Sequence, residues 1–183
     1  MVKLIRLTFA GLIGLCLAAA QPAAAQTAAA AWFVDEIEFL TRDGGRWITD
    51  NSEYVSEQET DDAYGIEWRK SFDGFAMAGR LVGLNGGKET NTYWEFRVYW
   101  HPGRGEAVAE QFGWGGGLGV GTVRPMAEGG MQWEQTFYSP AQSQHSEGHR
   151  SDNPDANTHV THSFSIVDGE WRPRRSYSWI RQT

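Results

Sequence analysis

The sequence predicts a mainly β protein: an antiparallel up-and-down β-barrel of about nine or ten strands, with one N-terminal helix after a signal peptide. Three observations support this fold class. Apolar residues alternate with a period of two along most of the chain, glycine-containing turns recur every eight to twelve residues, and only one segment has helical spacing. A β-sandwich is the competing architecture, but a closed barrel leaves no exposed sheet edge.

The N-terminus has the organisation of a secretory signal peptide. Lys3 and Arg6 precede the apolar stretch "LTFAGLIGLCLAAA", and small residues offer a cleavage site after Ala25. The apolar stretch is shorter than the roughly 20 residues that a membrane span needs. We therefore expect a signal peptide over 1–25, no membrane span, and a periplasmic or secreted mature protein.

The expected mature chain, 26–183, is long enough for a single domain with its own core. Its only cysteine would be lost with the signal peptide, because Cys16 lies in the apolar stretch, so neither disulfides nor thiolate chemistry are expected. Losing Lys3 and Arg6 changes the formal net charge from −7 to −9. This acidic balance argues against a nucleic-acid partner.

One helix is predicted in "AWFVDEIEFLTRDGGRW". Phe33, Ile37 and Leu40 recur at helical spacing, and Asp43 with the following two glycines provides a C-terminal stop.

Nine segments that follow the helix are predicted as strands. Most turns between them are short, as in "FDGF", "HPGRG", "AEGG" and "VDGE", which is typical of an antiparallel meander. The segments are 65–71, 75–84, 92–100, 106–114, 119–126, 131–139, 142–150, 158–167 and 170–181.

Two hairpins in the first half allow a predicted register. A turn at Asp73-Gly74 pairs Trp68 with Gly79, Ile66 with Leu81 and Glu67 with Arg80. A loop over 101–105 pairs Trp100 with Glu106, Val98 with Val108, Phe96 with Glu110 and Trp94 with Phe112. In that register one inward face carries the aromatic side chains and also Glu110.

The third hairpin turns at Asp168-Gly169, a type I′ candidate. Pro173 lacks an N–H group, so it indicates an edge or a bulge that would shift the register. The uninterrupted register pairs Ile166 with Trp171, Phe164 with Pro173, His162 with Arg175 and Val160 with Tyr177.

Polar residues on apolar faces are the candidates for function. A buried arginine needs an acceptor, which Glu110 or a ligand carboxylate would supply to Arg175. His162 is a candidate acid or base because histidine is the residue type that most often transfers protons in catalysis. The alternative is that these groups only satisfy one another or water. The candidate ligand-binding residues are Trp94, Phe96, Glu110, His162, Arg175 and Tyr177.

No cofactor or metal site is expected. His145 and His149 lie in "HSEGH", which lacks the apolar helical context of a zinc signature, and "GWGGGLGVG" lacks the lysine and the following helix of a phosphate loop. Glycines at a bent barrel corner explain the second motif better.

Three stretches resemble the lipocalin-like, or calycin-type, secreted bacterial proteins: "DDAYGIEWRKSFDGFAMAGRLVG", "YWEFRVYWHPGRGEAVAEQFGWGGGLGVG" and "HSFSIVDGEWRPRRSYSWIR". The resemblance spans 47–181. It implies a barrel closed at one end by a helix, with a cavity for a small apolar or amphipathic molecule.

Three functions remain open at this point. The first is binding of a small hydrophobic or amphipathic molecule, with Arg175 as the partner of an acidic group. The second is a lyase, isomerase or cyclase that uses the same cavity, with His162 or Glu110 as acid or base. The third is an interaction module whose aromatic residues form only a core. The sequence does not indicate an oligomeric state.

Overall fold

A computed structural model of the chain describes residues 29–141 and 143–183, and the expected signal peptide over 1–25 lies outside them. The described chain forms a closed antiparallel barrel of ten strands with one N-terminal helix. The predicted fold class is confirmed, and the barrel is not a sandwich.

Each strand pairs with its neighbours in the chain, and β1 closes the barrel against β10. Closure pairs Trp47 with Arg181 and Ile48 with Ile180. The elements are α1 (Ala31–Thr41), β1 (Arg46–Asp50), β2 (Ala63–Ser71), β3 (Ala76–Asn85), β4 (Lys88–His101), β5 (Glu106–Gly113), β6 (Gly117–Pro125), β7 (Met131–Tyr138), β8 (Gln144–Asp155), β9 (Thr158–Val167) and β10 (Glu170–Arg181).

All nine predicted strands are present, and β1 is the tenth. It has only five residues, so its alternation is too short to stand out beside the helix. Its inward-facing Trp47 is fully buried and anchors the strand in the core.

The predicted helix is confirmed as α1. Phe33, Ile37 and Leu40 face the barrel and are almost fully buried, as their spacing requires. The indole Nε1 of Trp47 donates a 3.0 Å hydrogen bond to the Leu40 carbonyl oxygen. The helix therefore covers the end of the barrel at which β1, β3, β5, β7 and β9 begin.

The register predicted for β2 and β3 is confirmed. Trp68 lies opposite Gly79, and Glu67 lies opposite Arg80, whose Nε is 3.0 Å from a Glu67 carboxylate oxygen. A Cβ atom at position 79 would lie 2.4 Å from Cε3 of Trp68. Gly79 is therefore needed for the indole to lie flat across the neighbouring strand.

The register predicted for β4 and β5 is wrong by one residue. His101, not Trp100, pairs with Glu106, because the turn closes on the His101 carbonyl oxygen, which accepts hydrogen bonds from two later backbone N–H groups. Since a one-residue slip exchanges the two faces of a strand, Gln111 lies beside Phe96 and Glu110 points outward.

The register predicted for β9 and β10 is confirmed up to Pro173 and wrong beyond it. A bulge between Pro173 and Ser176 places Ser176, not Arg175, opposite His162. Pro173 offers no N–H to continue the ladder, which is the physical reason for the break. After the bulge, Tyr177 pairs with Thr161 instead of Val160.

Candidate functional site

The barrel encloses a cavity of about 440 Å³ whose closed end lies against the Leu40 turn of α1. Its wall is formed mainly by β2, β3, β4, β7, β8, β9 and β10, which contribute their inward-facing side chains. The lining residues are Leu40, Tyr64, Ile66, Trp68, Leu81, Tyr93, Trp94, Phe96, Gln111, Met131, Trp133, Glu147, His149, Arg150, Ser151, His159, Thr161, Ser163, Arg174, Arg175, Tyr177 and Trp179.

One side of the cavity is an aromatic wall, formed by Tyr64, Trp68, Tyr93, Trp94, Phe96 and Trp133. Three of these rings form a contiguous surface: the Trp68 and Phe96 centroids are 5.3 Å apart, and Trp133 is 6.4 Å from both. Because these rings are tilted or edge-on to one another, they give the cavity an apolar aromatic side without forming one plane.

The opposite side is a polar wall on β8, β9 and β10, formed by Glu147, His149, Ser151, Thr161, Ser163, Arg174 and Arg175. His149 Nε2 and Ser151 Oγ are buried, and neither has a hydrogen-bond partner within the described chain. Burial lowers the pKa of His149, which keeps the ring neutral. Both atoms are sealed within the wall, so their hydrogen-bonding capacity is unused in the structure but not open to the cavity.

The bulge in β10 gives the polar wall two consecutive arginines. Because Arg174 and Arg175 both lie opposite Ser163, both guanidinium groups reach the cavity. Arg174 Nη1 lies 2.7 Å from a carboxylate oxygen of Glu147. Arg175 makes two 2.7 Å hydrogen bonds to the two carboxylate oxygens of Glu59.

Glu59 belongs to the segment over 51–62, which we call the mouth loop. Arg175 lowers the pKa of Glu59 to about 2, chiefly through its hydrogen bonds, and the Tyr64 hydroxyl donates to the same carboxylate at 2.6 Å. Arg175 Cζ also lies 4.6 Å from the ring centroid of Tyr54. These contacts hold the mouth loop against the open end of the cavity.

The structure supplies a different partner for Arg175 from the one expected. Glu59, rather than Glu110 or a ligand, satisfies the guanidinium. The sequence carried no signal for this pair, because Glu59 is in an irregular segment 116 residues away from Arg175. With both arginines paired to carboxylates, the polar wall has little net charge to offer a ligand.

Four of the six candidate ligand-binding residues line the cavity: Trp94, Phe96, Arg175 and Tyr177. The other two do not. Glu110 accepts a 3.2 Å hydrogen bond from the Tyr99 hydroxyl on the outer wall, and His162 Nδ1 lies 2.7 Å from Ser176 Oγ, also outside. The slip between β4 and β5 accounts for Glu110. His162 has the outward parity of β9, and the bulge in β10 places Arg175 and Tyr177 on the inward face, so they no longer share a face with His162. A role for the four lining residues in ligand contact stays a prediction.

A buried polar cluster lies where α1 meets the closed end of the cavity. The side-chain amide nitrogen of Asn153 is 3.0 and 3.3 Å from the two carboxylate oxygens of Glu36. The side-chain oxygen of Asn153 is 2.6 Å from Nδ1 of His159. Burial raises the pKa of Glu36 and lowers that of His159 to about 4.

Sequence reasoning missed this cluster, although one signal was available. Glu36 lies three residues after Phe33 and four before Leu40, which puts a carboxylate on the apolar face of the helix. A charged residue in that position needs a partner in the barrel, and Asn153 provides it.

Among residues 29–141 and 143–183, no helix combines the length and apolarity needed to cross a bilayer. Within the same residues, no three His, Cys, Asp or Glu side chains are grouped as a metal site would require. No protein-family model matches the chain, and a search of curated proteins finds no match. The chemistry of the cavity is therefore the basis for a function.

Proposed function

We propose that this protein binds a small, mainly apolar, amphipathic molecule inside the barrel, in the periplasm or after secretion. The observation that carries the proposal is the cavity of about 440 Å³ inside the barrel, open at one end, in which an aromatic wall faces a polar wall. Pockets of roughly 300–1,000 Å³ that are mostly apolar, with a few convergent polar groups, are typical of small-molecule sites. The expected export and the resemblance to lipocalin-like proteins are part of the same proposal.

The pairing of the arginines favours a ligand without charge. A ligand carboxylate would have to displace Glu59 from a two-point contact with Arg175, and it would leave the Glu59 carboxylate without its cationic partner. A neutral molecule instead meets the aromatic wall on one side and the polar wall on the other. The preferred ligand is therefore uncharged, mainly apolar and polar at one or both ends.

An enzyme that uses His162 or Glu110 as acid or base gains no support, because neither side chain reaches the cavity. The histidines that do reach it, His149 and His159, both have lowered pKa values. A general base is most effective when its pKa lies near the working pH. These groups suit hydrogen bonding to a bound molecule better than proton transfer.

Native mass spectrometry of the mature protein, purified from its source compartment, tests the proposal. We expect an added mass that is lost on denaturation. Leu81→Trp, which adds an aromatic ring inside the cavity, should lower the occupancy, whereas Val120→Trp adds the same ring on the outer wall and should not.

Titration with the neutral dye N-phenyl-1-naphthylamine provides a second measurement on the same three proteins. A bare wild-type protein that also fails to bind the dye would refute a ligand-binding cavity. Equal binding by Leu81→Trp and Val120→Trp would mean that the dye binds elsewhere.

A further inference from the structure

His159 is the polar side chain nearest to the helix-covered end of the cavity. It is only 7% exposed, and the rings of Trp47 and Phe39 lie 5.9 and 6.1 Å from its own. Its strand partner is Trp179, whose indole Nε1 donates to Thr161 Oγ1 at 2.9 Å. A molecule that enters from the open end therefore reaches His159 last.

The contacts of Asn153 determine which nitrogen of His159 carries the proton. The amide nitrogen of Asn153 lies within hydrogen-bond distance of both carboxylate oxygens of Glu36, so the NH2 end of the amide is the end that donates to Glu36. Its oxygen must then be the atom that faces His159, and an oxygen can only accept. Nδ1 of His159 is thus the donor, and Nε2 carries a free lone pair.

Nε2 is also the nitrogen that remains available to a ligand. His159 lines the cavity, and its Nε2 makes no hydrogen bond within the described residues. Unlike Nε2 of His149, this atom is not sealed from solvent, so a ligand in the cavity can reach it. The surroundings at this depth are apolar, with Leu40, Met131 and Trp179 nearby in the wall. An acceptor in such surroundings discriminates strongly between molecules with and without a donor.

We infer that His159 Nε2 accepts a hydrogen bond from a hydroxyl or N–H group at the leading end of the ligand. The preferred ligand class is then an uncharged, mainly apolar molecule with a donor at the end that meets the helix. Glu36 and Asn153 are positioning residues, since they act only by fixing the ring and its tautomer. This inference rests on the proposed function.

A matched pair of probes tests it. The probes are 2-naphthol, which has a hydroxyl donor, and 2-methoxynaphthalene, in which that donor is blocked. Quenching of the tryptophan fluorescence gives a dissociation constant for each, and their ratio measures the preference for the donor. We expect His159→Phe to reduce this preference about tenfold. His162→Phe makes the same substitution on the outer wall and should leave the ratio unchanged.

Nitrogen-15 NMR of the wild-type protein gives an independent readout, because the two ring nitrogens have different chemical shifts when one is protonated. We expect the proton on Nδ1 of His159 in the free protein. Asn153→Leu should let the proton redistribute between Nδ1 and Nε2 of His159. If Asn153 only supported the packing, the substitution would leave the proton on Nδ1. This measurement decides the question if His159→Phe does not fold.

The possible failures are distinguishable. If both probes bind and the ratio is the same in His159→Phe as in the wild type, the inference is wrong and the ligand cavity stands. A proton found on Nε2 also overturns the inference, because the nitrogen facing the cavity would then be a donor. If neither probe binds while N-phenyl-1-naphthylamine does, the inference is wrong and the ligand cavity stands. If the dye titration and the native mass spectrum are negative as well, the proposed function fails, and the inference fails with it.

Discussion

The buried histidine at the closed end of the cavity should make the stability of the barrel depend on pH. Burial lowers the pKa of His159 from 6.5 to about 4. The unfolded chain therefore binds a proton at a pH at which the folded protein does not. Protonation stabilises the unfolded state, so the free energy of unfolding should fall as pH decreases from about 6.5 to about 4.

The magnitude follows from the two pKa values. Each pKa unit corresponds to about 1.4 kcal/mol, so the full loss attributable to His159 is about 3 kcal/mol, of which about 2 kcal/mol is lost by pH 5. For a domain of this size, with a urea m-value of about 2 kcal/mol/M, this moves the unfolding midpoint by about 1 M between pH 7 and pH 5.

Urea unfolding at several pH values, followed by tryptophan fluorescence, measures this loss. His159→Phe should show a pH dependence smaller by about 2 kcal/mol over the same interval, whatever its absolute stability. His162→Gln, which removes a histidine from the outer wall, serves as the control and should keep the wild-type dependence. The raised pKa of Glu36 acts in the opposite direction in all three proteins. An unchanged pH dependence in His159→Phe would refute the argument.

Two further substitutions test the wall and the mouth of the cavity. Gly79→Ala places a methyl group against Trp68 and should lower the free energy of unfolding by about 1–3 kcal/mol. Gly117→Ala is the control, because its methyl group meets only ordinary van der Waals contacts and should have a smaller effect. Thermal or urea unfolding measures both variants, and equal losses of stability would contradict the packing argument. Arg175→Leu should release the mouth loop and accelerate its amide hydrogen exchange, because the two-point contact to that loop is lost. Arg174→Leu, whose partner lies on β8, is the control and should leave the exchange of the mouth loop unchanged; equal acceleration would show that the loop is held by other contacts.

The sequence was sufficient for the architecture because the barrel depends on strand periodicity and turn chemistry, which are local. The Asp73-Gly74 turn fixed the β2–β3 register correctly, since a tight turn leaves little freedom in the pairing that follows. The longer loop before Glu106 allowed closure on either of two residues. That one-residue ambiguity reversed the faces of β5 and moved Glu110 outside.

The residues of the site were predictable only in part, because local patterns determine the direction of a side chain within a strand but not contacts between distant strands. Trp94 and Phe96 lie in a long, strictly alternating strand, so their inward direction followed from pattern alone. A bulge in β10 separated Arg175 and Tyr177 from the face of His162; Pro173 indicated that bulge but did not determine its position. His159 and Glu36 meet through Asn153, a contact between distant parts of the chain that no local pattern encodes.

The pairing of β1 with β10 has a consequence for how the chain folds. All other strand pairs join strands that are consecutive in the sequence. The β1–β10 pair joins residues more than a hundred positions apart, and such contacts form late in folding. Arg181 also donates hydrogen bonds from its guanidinium to the carbonyl oxygens of Phe39 and Arg42, so one residue near the end of the chain joins both the first strand and the helix region. Until β10 is in place, β1 and β9 have unpaired edges, which makes the incomplete barrel more prone to aggregation than the closed one.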